Sequence, residues 1–320
     1  MQKFDRNYKL TFQIGEIQRH QIGVDVTGAP RYQYDYDKQV YSEEIEIDYP
    51  LTCNFSIKRD TYSQVNTGHF QILGLKETTR TKLYKDRDNV TKFVRVQFNA
   101  GYGDNLSLCF SGTVKECYST KDSGATEFRT DIEAWDGGFG IYWGHTDRTL
   151  GRYVKSTDIL NILTSDFKSL QIGGISDKIK VNETLRDKHF IGKTWDCLRD
   201  FVNGNMFIDN EKIYFMMTDT DVRQGELMEL DVDSGLLSSP KRRDTVIEVE
   251  LLFEPRVVVG QQIVLTSQSV PYLNGTYKIL GIEHNGTISG AVGGRLTTKL
   301  SLFLGTKVFN NIKDLNYNVV

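Results

Sequence analysis

Residues 45–57 read IEIDYPLTCNFSI, and Ile45, Ile47, Tyr49, Leu51, Cys53, Phe55 and Ile57 alternate there with Glu46, Asp48, Pro50, Thr52, Asn54 and Ser56. Successive side chains of a strand point to opposite faces, so alternation of this length predicts a long strand with one face buried and the other in water. Pro50 has no N–H to give to a ladder, which places the strand at a sheet edge or bends it there. The same period recurs further on. Val94, Val96, Phe98 and Ala100, then Leu106, Leu108, Phe110 and Val114, then Phe128, Thr130, Ile132 and Ala134 form alternating runs. With the apolar run around Ile72 they predict an antiparallel sheet or barrel over residues 1–145.

Over residues 146–239 the period changes. Ser156, Thr157 and Asp158 supply N-cap chemistry ahead of Ile159, Ile162, Leu163 and Phe167, whose spacing puts them on one helical face. A second helix is predicted after Thr194, with Trp195, Leu198, Phe201 and Val202 on one stripe and Gly204 as its stop. Residues 205–217 read as a hairpin turning at Asp209-Asn210. This segment is a small α+β unit. Strands return over residues 240–320: Val249, Leu251 and Phe253 alternate, Ile263 and Leu265 follow, then residues 277–282, and finally Leu296, Thr298, Leu300, Leu302 and Leu304. Asn274-Gly275 and Asn285-Gly286 are hairpin-turn dipeptides. Residues 310–320 carry no clear pattern.

Composition fits this outline. The chain has 320 residues, a formal charge of -3 and only 5 prolines, so it is long enough for a sizeable core and built from strands joined by Gly, Asn and Asp turns. Charges are interspersed, and no basic run advertises nucleic-acid or membrane binding. The charged N-terminus does not read as a signal peptide, and no stretch approaches the roughly 20 apolar residues of a membrane span. Cys53, Cys109, Cys117 and Cys197 form no CxxC pair and read as reduced thiols of a protein made in the cytosol.

A search for chemistry finds no catalytic, cofactor-binding or metal constellation. Gly192-Lys193-Thr194 ends like a phosphate-binding loop, but Asp187 stands where the motif needs its first glycine, so a helix start capped by Thr194 is the simpler reading. Asp136-Gly137-Gly138-Phe139-Gly140 lacks the strand-turn-helix setting of a dinucleotide site and reads as a flexible turn. His145 and Asp147 have no second pair to complete a metal sphere. Asp131 and Glu133 share the polar side of a strand, where solvation is expected. Tyr32, Tyr34 and Tyr36 alternate with Gln33, Asp35 and Asp37, giving either an adhesive face or an ordinary packed hairpin.

Several blocks carry a family resemblance. Residues 234–240 (SGLLSSP) precede Leu252-Phe253-Glu254-Pro255 and Val259-Gly260-Gln261-Gln262-Ile263, followed by Asn274-Gly275-Thr276-Tyr277 and Ile282-Glu283-His284-Asn285-Gly286. Residues 74–80, 99–103 and 108–114 add a matching order in the first half. Together they resemble the baseplate central hub proteins of contractile-tailed bacteriophages and related contractile injection systems, over residues 40–305. The family's usual Trp after the Gly286 turn is absent, with Gly293-Gly294-Arg295-Leu296 in its place.

The resemblance implies two tube-like antiparallel β-barrel domains, residues 1–145 and 240–320, flanking an α+β domain at 146–239. It also implies a homotrimer that adapts a hexameric tail tube to a trimeric spike and leaves a channel through which DNA passes without specific binding. Spike, tube, tape-measure and baseplate wedge proteins are the implied partners, with no cofactor, no catalysis and no membrane insertion. The implied location is the virion tail baseplate, assembled in the bacterial cytoplasm. The alternatives are a tail-associated carbohydrate- or receptor-binding module using the Tyr-rich stretch (Tyr32, Tyr34, Tyr36) and exposed aromatics such as Trp135, Tyr142 and Trp143, a cell-wall hydrolase, and the hub region of a long non-contractile tail.

Overall fold

The computed structural model describes residues 5–62, 65–89, 91–151, 154–167, 169–179, 188–217, 219–303 and 310–312. Strands β1 (Arg6–Val24) and β2 (Pro30–Asp48) form a long antiparallel ribbon. There follow β3 (Cys53–Asp60), β4 (Thr67–Leu73), the short helix α1 (Glu77–Leu83), β5 (Lys92–Tyr102), β6 (Asn105–Thr120) and β7 (Arg129–Trp135). They lie side by side in the order β3-β4-β7-β6-β5-β1-β2. Their inward faces meet in an apolar core containing Tyr8, Phe12, Phe55, Phe70, Phe98 and Phe110.

Two expectations are corrected here. The strand predicted across residues 45–57 is broken, because β2 ends at Asp48 and β3 begins at Cys53. At Pro50, which has no N–H for a ladder, the chain turns, and it leaves β1 for β4. Alternation survives the turn because Ile47, Cys53, Phe55 and Ile57 all enter the same core. In β6 a register shift opposite Phe98 and Asn99 changes the face, leaving Leu108 38% exposed while Cys109 and Phe110 are buried.

The middle of the chain holds α2 (Gly138–Trp143), β8 (His145–Leu150), α3 (Ser156–Ser165), β9 (Gln171–Ile175), β10 (Lys188–Lys193), α4 (Thr194–Phe201), β11 (Met206–Asp209) and β12 (Lys212–Phe215). Ile159, Leu163, Phe167, Trp195, Leu198 and Val202 are buried together as their spacing predicts. The caps differ from expectation. Lys155 and Lys193 occupy the N-cap positions without side-chain caps, and Ser156 and Thr194 are the first helical residues. Gly204 does close α4: at φ +76° its N–H reaches the Arg199 carbonyl at 2.8 Å. The hairpin turn falls one residue later than predicted, on Asn210-Glu211, both with positive φ. The parallel pairing of β12 with β9 and the β8–β10 pair have no counterpart in the sequence reading.

The remainder comprises β13 (Asp221–Leu230), β14 (Lys241–Arg243), β15 (Val246–Leu252), β16 (Gln261–Leu265), β17 (Gly275–Ile288), β18 (Leu296–Phe303) and β19 (Asn310–Ile312). Val249, Leu251, Ile263, Leu265, Ile279, Leu300 and Leu302 build another apolar core. Leu304 lies outside the described residues. Asn285-Gly286 is not a turn: both residues sit inside β17, paired to Ser56 and Phe55 on β3 and to Thr297 and Leu296 on β18.

Strand β17 pairs β16 along residues 275–278 and β3 along residues 281–288, so the early and late strands share one sheet. The protein is mainly β with a large antiparallel sheet. Among the described residues no closed barrel forms. The sheet runs as an open path from β14 to β2, with β13, β16 and β19 branching from it.

Candidate functional site

Among the described residues no group of three or more His, Cys, Asp or Glu side chains could hold a metal ion. Asp131 accepts hydrogen bonds from Gln71 and Arg129, and Glu133 pairs with Lys115 at 2.7 Å and accepts from the Trp135 indole. The two carboxylates are held in cross-strand pairs rather than simply solvated. His145 is exposed, whereas Thr146 is buried against Asp166 and Thr194. Cys109 and Cys117 are unpaired, and burial pushes both thiols up to about 12, far from a nucleophilic thiolate.

The residues that do converge are polar and buried. The tip of the β11–β12 hairpin enters a joint between the early and late strands. The Asp209 carboxylate sits between two guanidiniums, with Arg59 of β3 at 3.0 Å and Arg223 of β13 at 2.6 Å. Arg59 also donates to the Val257 carbonyl, and Arg223 to the Val259 carbonyl and the Tyr214 hydroxyl. Two residues on, Glu211 accepts from Ser111 at 2.7 Å and from Arg95 at 2.7 Å.

Asp136, expected in a flexible turn, is fully buried beneath the same tip. Its carboxylate accepts the backbone N–H groups of Asn210 at 2.8 Å and Glu211 at 2.6 Å, and the Asn66 amide at 3.2 Å. Burial, reinforced by the nearby Asp209 charge, pushes Asp136 up to about 8, while these donors pull the other way. The turn is therefore an ordered anchor. Buried charges persist only when paired and hydrogen-bonded, so this joint holds three parts of the chain in one arrangement.

His284 lies beside the joint. It is fully buried, its Nδ1 is 2.8 Å from the Thr298 hydroxyl, and its ring packs edge-on against Phe253. Burial, with the Arg59 charge adding to it, holds the imidazole well below its ordinary 6.5. The unfolded chain thus takes up a proton near pH 6.5 that the folded chain refuses, and stability is lost as pH falls through that value. The unfolding free energy is expected to drop by up to about 1.4 kcal/mol per pH unit between pH 6.5 and 5 from this group. Denaturant titrations across that range should show a shallower slope for His284→Gln, and an unchanged slope would contradict the assignment.

Two surface features complete the picture. Beyond Ile17, the last buried residue of β1, the β1–β2 ribbon leaves the body as an arm. Ile22, Val24 and Val26 are exposed near its tip, and Arg19 stacks over Tyr32 at 4.4 Å; the side chains of Tyr34 and Tyr36 lie outside the description. At the arm's base is a cleft of about 400 Å³ lined by Ile17, Phe93, Trp135, Phe139, Tyr142 and Trp143, with Lys85, Arg87, Asp88, Lys92 and Lys115 around it. The sequence reading singled out Trp135, Tyr142 and Trp143, and the fold gathers them here.

Residues 191–288 match the family described as baseplate hub gp41. No curated protein matches the chain by sequence. The fold is shared with a tail protein from Neisseria meningitidis (TM-score 0.55, 9% identity, covering 92% of this chain and 96% of that one). It is also shared with the 43 kDa tail protein of prophage MuSo2 from Shewanella oneidensis (TM-score 0.55, 8% identity, 91% and 96% covered). A third relative in fold is the E. coli c3393 protein, a type VI secretion component described as similar to the T4 tail proteins gp27 and gp5 (TM-score 0.50, 7% identity, 82% and 76% covered). The family match and the shared fold bear out the resemblance to baseplate hub proteins.

Proposed function

We propose that this hub-like viral tail protein is the central hub of a tail baseplate: a homotrimeric ring that adapts a hexameric tail tube to a trimeric spike and leaves a channel for DNA ejection. The observation that carries the reading is the β17–β3 ladder, which sets two apolar sheet cores side by side in one chain. Three such chains present six sheet units around a closed ring, the count needed to meet a sixfold tube on one side and a threefold spike on the other. In this reading residues 1–145 and 240–320 are the two tube-like units and residues 146–239 the domain that fixes them, Asp209 pairing with Arg59 and the Asn210 N–H donating to Asp136 of the first unit, and Arg223 donating to the Val259 carbonyl of the second.

The protein works in the virion tail, with spike, tube, tape-measure and wedge proteins as partners, and needs no metal, cofactor or catalytic residue. Light scattering of the protein alone and co-expressed with a trimeric spike tests this. The expected mass of the hub component is three times the 36.6 kDa of the chain. A protein that stays monomeric in both samples, whatever its concentration, contradicts the hub.

A further inference from the structure

We infer that the β1–β2 arm joins neighbouring copies, the apolar tip of one chain (Ile22, Val24, Val26) seating in the aromatic cleft (Phe93, Trp135, Phe139, Tyr142) of the next. The inference rests on the ring proposed above and names the contact that closes it.

Four observations support it. A two-stranded ribbon on its own is marginal in water, yet the turn of this one carries its own hydrogen bonds: Asp25 accepts from the Thr27 N–H and hydroxyl and from the Ala29 N–H. A pre-ordered tip loses little entropy on docking. Second, Ile22 and Val24 are each 60% exposed and Val26 wholly so, on a ribbon whose first strand buries no described residue beyond Ile17. Third, the cleft has an aromatic lining, with buried Phe93 and Phe139 4.8 Å apart and exposed Tyr142 4.8 Å from Trp143, and its volume lies in the range that admits a few side chains.

Fourth, charge is complementary. At the apex of the turn, residues 25–29, the only charged side chain is Asp25, with Arg31 further back opposite Gly23, while the cleft is ringed by Lys85, Arg87, Lys92 and Lys115 against Asp88. Burial first, and the neighbouring Lys92 second, hold the Lys85 ammonium below its ordinary range, a cost that an incoming carboxylate would relieve.

The occupant has to be a second copy. Ile17 is both the root of the arm and part of the cleft wall, and the paired ribbon carries Val24 about 23 Å away from it at strand rise. A tip that cannot reach its own cleft but fits an identical one makes a head-to-tail contact, and such contacts close into rings when the rotation permits.

The test combines two single-cysteine variants of the full chain, Val26→Cys and Tyr142→Cys, both in a Cys197→Ser background because the other thiols are buried. Mixed during assembly, with the spike present, and treated with a short bismaleimide, they should yield a cross-linked pair that neither variant yields alone. Val24→Asp with Val26→Asp should turn the trimer into monomer without moving the melting temperature, since these side chains support no folded contact. A trimer that forms normally with that double change and gives no cross-link overturns the arm contact and leaves the hub standing. A chain that never assembles overturns both. Binding in a glycan screen that is lost in Tyr142→Ala, with the trimer intact, would make the cleft a receptor site and equally overturn the inference.

Discussion

Replacing Asp209 with alanine is expected to lower the unfolding free energy by about 3–5 kcal/mol, the usual cost of stranding buried charge. The change leaves the Arg59 and Arg223 guanidiniums facing each other with almost no exposure to water. Arg59 keeps its bond to the Val257 carbonyl, and Arg223 its bonds to the Val259 carbonyl and the Tyr214 hydroxyl. Denaturant unfolding of the variant checks the figure. The informative companion replaces all three charges with apolar residues of similar size, Arg59→Met, Asp209→Leu and Arg223→Met. Such replacements are often neutral or stabilising by about 1–4 kcal/mol, so a stable triple variant that no longer assembles would show that the ion pairs serve orientation rather than stability. A single Asp209→Ala variant with unaltered stability would mean that the joint is not dry.

The second large effect is expected at Leu300. This side chain stands opposite Val249 on β15 and Ile282 on β17, inside the core of the late strands. Leu300→Asp forfeits about 1.5–3 kcal/mol of burial and adds the larger cost of an unpaired buried carboxylate, so the late strands should unfold and assembly should fail. Lys299, one residue away, is exposed and stands opposite Glu250 and Glu283. Lys299→Asp places like charges across the ladder, which costs on the order of 0.2–1 kcal/mol per pair and leaves the chain folded. Circular dichroism and gel filtration of the two variants check the contrast. A folded, assembling Leu300→Asp protein would contradict the register of β18, whereas a folded Lys299→Asp protein that fails to assemble would mark its face as an interface.

Much of the sheet was legible because period two is a local signal. Val94, Val96, Phe98 and Ala100 are buried as their alternation predicts, and so are Thr130, Ile132 and Ala134. Helices α3 and α4 were legible for the same reason at period 3.6. What failed depends on pairing partners far along the chain. The shift in β6 arises opposite Phe98, and Asn285-Gly286 stays extended because β3 and β18 clamp it from both sides, overriding a strong turn dipeptide.

The buried joint was missed, although one signal pointed to it. Arg59 continues the inward parity of Cys53, Phe55 and Ile57, so an arginine stands where the pattern calls for an apolar residue. Asp209 likewise closes the fully buried run Met206, Phe207 and Ile208. A charge at inward parity has to find an opposite charge. Which one it finds is a tertiary fact that spacing does not contain, since Arg59 and Asp209 lie 150 residues apart.

The exchange of partners along β17 has a mechanical consequence. Because β3 takes the place of β16 beside the same strand, the passage from one core to the other is a step within a twisted surface and involves no linker. Neighbouring strands rotate by roughly 20–25° per step, so the angular offset between the cores is set by sheet twist. Torque applied to one core would reach the other through eight consecutive residue pairs, Gly281 with Asp60 through Ile288 with Cys53, before any joint could yield. Each chain would then behave as a torsionally stiff unit that turns as a whole rather than winding up between its two cores.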